Sequence, residues 1–305
     1  MGTFIQGLHH ITAMAGAPQS NLNFYTGILG LRLVKKTVNF DAPDVYHLYY
    51  GNETGAAGTI MTFFPFPGLT RGRIGSGQAT KTAFSIPSAS LGFWQARLKA
   101  FGVETVVKEW KNSTELQFSD PDGLPLSLVA NDTDTRVGVA VGSVPLAHSI
   151  RGFYGVTLSV ARPEGTLAIL TQSMEHQIFE EEQGRFLLGT EQNPGALIEV
   201  IADPSLPAGR GGSGTVHHIA FATATDETQL GIQQKLMKDG YRPTEVLDRQ
   251  YFHSIYFREP GGVLFEVATL PPGFLYDEPV EHLGESLKLP SWVESKRPEF
   301  ERGLA

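Results

Sequence analysis

Four times along the chain, a stretch of alternating apolar and polar residues gives way to helical spacing, and then to two or three further strand-like runs. Alternation puts every second residue on one face of a strand, and spacing of three and four gathers apolar residues on one face of a helix. "GLHHITAM" opens the first unit. Its helix is "SNLNFYTGILG", where Leu22, Tyr25, Ile28 and Leu29 share a face, Ser20 or Asn21 is placed to cap, and Gly30 to terminate. The second unit runs from "KTAFSIP" through "SLGFWQARLKAFG", with Leu91, Trp94, Leu98 and Phe101 at helical spacing, to "LQFSDPDGLPLSLVA". The third joins "RGFYGVTLSV" to "GALIEVIA" through a helix near 163–176. The fourth joins "GTVHHIAFAT" to "HSIYFREPGGVLFEVAT" through "DETQLGIQQKLMKDG", where Asp226 and Gln229 form a candidate capping box.

This order predicts an α+β protein of four βαβββ modules, at 1–70, 79–132, 150–203 and 214–270, with a C-terminal tail at 271–305 packing on the body. Gly- and Pro-rich linkers such as "GLTRGRIGSGQ" and "DPSLPAGRGGSG" separate the modules. A single βαβββ unit leaves one face of its sheet bare, so two must pair to close a cup. Four units therefore make two cup-shaped half-barrels.

Composition narrows the partners. Of 305 residues, 41% are apolar and 18% charged, an ordinary globular balance. No apolar run is long enough to span a bilayer, and the N-terminus has no basic and apolar leader, so a soluble cytoplasmic protein with no membrane partner is expected. The formal charge of −8, without a basic cluster beyond "VKK" and "TRGR", argues against a nucleic-acid partner. There is no cysteine, so a metal must be held by nitrogen and oxygen.

"LHHIT" at 8–12 and "VHHIA" at 216–220 are the chemical signal. Laying the modules on one another matches His10 and His218 to Ser85 in module 2 and Gly155 in module 3, and Glu266 of "VLFEV" to Thr62, Ser127 and Glu199. A carboxylate amid an apolar strand is costly unless it is paired, protonated or bound to a cation. A single strand histidine is more often a hydrogen-bonded core residue than a ligand, but the repeat and the stranded carboxylate together favour ligation. Only module 1 can complete the set offered by module 4, so modules 1 and 4 are expected to enclose a metal held by His10, His218 and Glu266. Two imidazoles and one carboxylate leave open positions opposite, which suits Fe(II); Mn(II) or another divalent ion such as Co(II) also fits, while zinc is redox-inert. Glu199 is expected to pair with Arg185 or Arg151. His47, His148, His176, His253 and His282 read as structural or solvated, with His253 the one nearest in sequence to the site strands.

At these residues the chain resembles the vicinal oxygen chelate superfamily, to which glyoxalase I and the extradiol dioxygenases belong. It is most similar to hydroquinone ring-cleaving dioxygenases and to the bacterial ring-cleaving dioxygenases of quinone-stress operons. The blocks that carry the likeness include "LHHIT", "YHLY", "GTIMTFFP", "GTVHHIAF", "DRQYFHSIYFREPGG" and "LFEVAT". The resemblance implies the same three ligands, an aromatic substrate with O₂, and a homodimer. It implies catalytic roles for His9, His217, Arg249 and Tyr256 and substrate contacts from Thr12, Arg249 and Tyr256. Thr12 shares the face of His10, whereas alternation points His9 and His217 away from their neighbours. Without the family, Arg249 reads equally well as a surface ion pair with Asp248 or Glu259. Two rivals stand beside a ring-cleaving dioxygenase. A glyoxalase-type isomerase needs a fourth ligand where Thr62 stands, and a protein that only sequesters an aromatic or antibiotic needs no triad.

Overall fold

The computed structural model describes residues 4–110 and 113–303, so the outer ends of the module 1 and tail ranges, and 111–112 of the module 2 range, lie outside it. Each quarter of the chain supplies four strands: β1 Leu8–Ala15, β2 Arg32–Asn39, β3 Ala42–Gly51 and β4 Ile60–Pro65; β5 Gln78–Ile86, β6 Val106–Trp110, β7 Ser113–Ser119 and β8 Pro125–Ala130. The second half gives β9 Gly152–Val160, β10 Gln177–Glu182, β11 Arg185–Gly189 and β12 Leu197–Ala202; then β13 Thr215–Thr223, β14 Leu247–Asp248, β15 Phe252–Arg258 and β16 Leu264–Pro272. They form two eight-stranded sheets. One has the order β14-β15-β16-β13-β1-β4-β3-β2 and joins modules 4 and 1; the other, β10-β11-β12-β9-β5-β8-β7-β6, joins modules 3 and 2. The four-module α+β architecture read from the sequence is the observed one.

The helices cover the sheets, and local chemistry moves their ends from where the sequence suggested. Helix α1, Pro18–Leu22, continues as a π-helical turn through Ile28; Pro18 starts it, after Ala17, and neither Ser20 nor Asn21 caps it. Helix α2, Leu91–Ala100, buries Trp94 and Leu98 completely but leaves Phe101 half in water beyond its end. Helix α3, Glu164–Ala168, likewise runs on as a π-helical turn to Ser173. Helix α4, Asp226–Lys238, is capped by Thr225 with Thr228, rather than by Asp226 with Gln229, because the extended residue is Thr225. Gln229 is buried instead, and its amide nitrogen donates to the carbonyls of His253 and Val267. Ile232 and Leu236 of α4 join Trp94, Leu98, Phe84, Phe221 and Phe265 in one apolar core that runs through both sheets. Each such fully buried side chain contributes roughly 1.5–3 kcal/mol.

In the first sheet, β1 is the joint. It pairs antiparallel with β13, setting Thr12 opposite His218, and parallel with β4, setting Thr12 opposite Thr62. After β16 the tail crosses back to the far edge, where Lys288 N–H donates to the Lys36 carbonyl at 2.9 Å. On the way, the fully buried Lys35 of β2 meets Asp277 at 2.6 Å and Glu278 at 2.5 Å, and Asp277 also accepts from Tyr251 and Gln250 beside β14. The tail thus bridges the two edges of the curled sheet, with Phe274 laid against Tyr49 and Tyr251 at 5.1 Å.

Candidate metal centre

Strand register sets the site. Glu266 lies opposite Ala220, two residues after His218, and His10 lies opposite Ala220 from the other side. The three side chains converge: His10 Nε2 to His218 Nε2 is 3.3 Å, His10 Nε2 to Glu266 Oε2 is 3.3 Å, and His218 Nε2 to Glu266 Oε2 is 2.9 Å. All three are buried, and they are the His/Cys/Asp/Glu cluster with metal-holding spacing among the described residues. An ion with bonds of about 2.1 Å and perpendicular ligands would hold them about 3 Å apart.

The histidine pairs account for the tautomers. Pairing skips His9 on β1 and His217 on β13, so each is the extra residue of a bulge. A bulge bends the strand and re-aims side chains, which is why simple alternation misplaced both. His9 Nδ1 lies 2.9 Å from His10 Nδ1, and His217 Nδ1 lies 2.7 Å from His218 Nδ1. One nitrogen of each contact must carry the proton. If the inner histidine donates from Nδ1, its Nε2 presents a lone pair to the cluster. His9 also bonds the Thr269 backbone, which fixes its far side. Burial, the largest cause, pushes His9 down to about 3 and His217 down to about 4, and lowers His218 as well, so these rings are neutral at pH 7. Burial works to raise Glu266, but the Coulombic attraction of the facing His10 and His218 rings in their charged form more than offsets it and holds the carboxyl well below its usual range. Ser254 Oγ donates to Glu266 Oε1, whereas Oε2, despite its nearness to His218, has no hydrogen bond of acceptable geometry. Two imidazole nitrogens and a fully buried carboxylate oxygen, all within 3.3 Å of one another, are what a cation would reconcile.

Beside the cluster opens a cavity of about 200 Å³, walled by His10, His218, His217, Arg249 and Tyr256 with an apolar set that includes Phe64 and Phe252. His9 and Thr12 stand outside its wall; Thr12 is fully buried with its hydroxyl 3.1 Å from that of Thr62. Arg249 pairs with neither Asp248 nor Glu259. Its Nη2 reaches Asp41 at 3.2 Å, its Nε donates to the Tyr256 hydroxyl at 3.2 Å, and its guanidinium covers the Tyr256 ring. Glu259 is turned away to Thr166 and to the Gly261 and Val263 N–H groups.

His47 is held as the structural reading expected, but in the wall of the cavity. It lines the cavity, with Nε2 2.7 Å from Thr62 Oγ1 and Nδ1 2.8 Å from the Tyr49 hydroxyl. Burial holds it well below the ordinary histidine range. The signal available was its register: Tyr49 faces Thr62 as Tyr256 faces Glu266, which makes His47 the counterpart of Ser254. The other four histidines are elsewhere. His253 bonds Asp226 at 2.6 Å, His282 bonds Glu285, His148 stacks on Phe93, and His176 donates from Nδ1 to the Met174 carbonyl.

Among the described residues the second sheet has no equivalent site. Ser127 lies opposite Ala83, so the counterpart of the ligand histidine in module 2 is Lys81, four residues before the expected Ser85. Residues i and i+4 share a strand face, so alternation cannot choose between them. Lys81 pairs with Glu115 at 2.6 Å, and Glu199 accepts from Arg185 Nε at 3.0 Å and from Thr157 at 2.8 Å. At Gly155 an added Cβ would stand 2.6 Å from the Leu197 carbonyl oxygen, so a histidine cannot be built there.

This fold and site define the class. The profile of the Glyoxalase/Bleomycin resistance protein/Dioxygenase superfamily matches residues 7–128 and 155–267, and the chain belongs to that superfamily. Within it, the chain is 45% identical over 300 residues to the Bacillus subtilis protein named "Putative ring-cleaving dioxygenase MhqO", covering 98% of this chain and 95% of that one. It is 35% identical over 315 residues to the chlorohydroquinone/hydroquinone 1,2-dioxygenase of Sphingobium indicum, covering 98% and 96%. A crystal structure of a dioxygenase-like protein from Bacillus subtilis, titled "putative dioxygenase", superposes with a TM-score of 0.96 at 42% identity, over 100% of this chain and 98% of that one. No helix among the described residues is long and apolar enough to cross a membrane.

Proposed function

We propose that the protein is an Fe(II)-dependent dioxygenase that uses O₂ to open the ring of a hydroquinone- or catechol-type aromatic, with His10, His218 and Glu266 as the metal ligands. The observation that carries this reading is the meeting of two buried imidazoles and a buried carboxylate at metal-holding spacing beside an aromatic-walled cavity. A metal held by His10, His218 and Glu266 would supply Lewis-acid and redox chemistry toward a phenol and O₂.

The protein's own groups do the rest. His9 and His217 hold the ligand rings in one tautomer and orientation, as positioning residues, through the Nδ1 contacts. Phe64 and Phe252 exclude water and face an aromatic ring. Arg249 keeps a positive charge at the wall, suited to a phenolate or a developing carboxylate. Tyr256 retains its proton because burial raises its pKa, so it remains a hydrogen-bond donor at neutral pH. Thr62, spent on His47 and Thr12, is no fourth ligand, which weighs against a glyoxalase-type reaction.

The test is oxygen uptake after anaerobic Fe(II) loading, with 2-methylhydroquinone, hydroquinone and catechol offered in turn. Uptake with a ring-opened product is expected. Tight binding without uptake would replace this reading with sequestration, and isomerisation of a hemithioacetal without O₂ would replace it with a glyoxalase-type activity.

A further inference from the structure

A catechol can place both oxygens on one metal. A hydroquinone cannot: its second hydroxyl lies across the ring and must meet the protein. On the module 1 side of the cavity the polar wall residues besides His10 are Asn39, Asp41, His47 and Tyr49. Both ring nitrogens of His47 are engaged, by Thr62 and by the Tyr49 hydroxyl, and the Asp41 carboxylate stands mostly in water with one oxygen 3.2 Å from Arg249. Asn39 differs. Its Oδ1 accepts the Asp41 backbone N–H at 3.0 Å, and because that donor can only donate, the amide nitrogen is the polar group left for the cavity. Asn39 is 8% exposed and lines the cavity, so the cavity is where that nitrogen can meet a ligand.

Strand register gives Asn39 an independent meaning. Thr37 faces His47 as Leu247 faces Ser254, and His47 and Ser254 are counterparts. Two residues on from each, Asn39 and Arg249 occupy matching places on opposite sides of the cup. The Asp41 turn ties them together, since its N–H holds Asn39 and its carboxylate holds Arg249.

We propose that Asn39 is a specificity residue whose amide N–H donates to the hydroxyl of a para-diol that is not on the metal. This rests on the dioxygenase reading of the same site. A net hydrogen bond of ordinary strength corresponds to a preference of up to about tenfold.

The experiment is anaerobic calorimetry of the metal-loaded protein with hydroquinone, phenol and catechol. Wild type is expected to bind hydroquinone about tenfold more tightly than phenol. In Asn39→Ser the hydroxyl can still cap the Asp41 N–H but is too short to reach the ring, so the ratio should fall to near one with catechol affinity and metal content unchanged. Asn39→Ala, which has no side-chain group to offer the ring hydroxyl, should lose the same preference. A wild-type ratio in both variants overturns the assignment, as does an equal loss of catechol binding, which would mark a merely structural role. If wild type binds none of the three phenols, it is the dioxygenase reading that fails, and this inference goes with it.

Discussion

Replacing Lys35 by Met keeps the side chain's length and removes its charge. Lys35 is completely buried, 2.6 Å from Asp277 and 2.5 Å from Glu278, and its ammonium also lies 5.0 Å from the centre of the Tyr251 ring. Taking one partner from a buried ion pair costs about 3–5 kcal/mol, because the other charge is left without compensation. Here the remaining carboxylates are partly supported. Asp277 keeps the Tyr251 hydroxyl and the Gln250 amide at 3.0 Å each, while Glu278 keeps Ser286 at 3.1 Å and a distant Lys288 at 3.9 Å. The cost should therefore sit near the lower end, about 3 kcal/mol. It falls on the tail, which the rest of the sheet does not need in order to pair, so local release should precede global unfolding. Amide hydrogen exchange across 274–289 should speed up by two orders of magnitude or so, the factor that about 3 kcal/mol implies. Adding Glu278→Gln should recover part of the loss, since the amide can keep the Ser286 bond without a stranded charge. Exchange unchanged to within threefold in Lys35→Met would refute the reasoning.

Replacing His9 by Phe removes the acceptor for His10 Nδ1 while filling the space; metal affinity, followed by competition with a chelator, should fall 10- to 100-fold, and His217→Phe should behave alike. Full affinity in both would dismiss the bulge histidines as bystanders. Asp120 is raised to about 6 by burial, so the folded state holds its proton where the unfolded chain, at 3.8, does not. That group therefore adds stability as pH falls from about 6 towards 4, by up to about 3 kcal/mol. His176, pushed down to about 4 by burial from 6.5, has the opposite sign, with stability complete above 6.5 and lost on acidification. The two nearly cancel, so Asp120→Asn should lose about 3 kcal/mol relative to wild type between pH 7 and pH 4 in urea titrations. A difference that does not vary with pH would show that Asp120 does not titrate there.

The cluster of His10, His218 and Glu266 was readable because its chemistry lies in residue types. A repeated His-His and a carboxylate inside an apolar strand have few inexpensive explanations, and Gly155 in place of a third histidine removed the competing quarter. What could not be read was anything that depends on pairing. Alternation cannot tell Ser85 from Lys81, because they share a face, and it cannot foresee the bulges that turn His9 and His217 towards their neighbours. His47 looked like an ordinary strand histidine until the register with Thr62 set it in the wall. The partner of Arg249 was sought nearby in sequence at Asp248 and Glu259, but Asp41 arrives from another module. Helix ends failed for a local reason: at α1 a proline after an extended alanine outweighed the polar residues that follow.

The pairing of β1 with β13 has a bearing on how the molecule is made. His10 and His218 are 208 residues apart, and the strand carrying Glu266 leaves the ribosome later still. The middle quarters, whose β5 and β9 are neighbours, can close their sheet while the opening strand still lacks half of its partners. A chain cut short before β16 would own both histidine pairs yet grip an ion weakly, so cation uptake would report that β16 had joined the sheet.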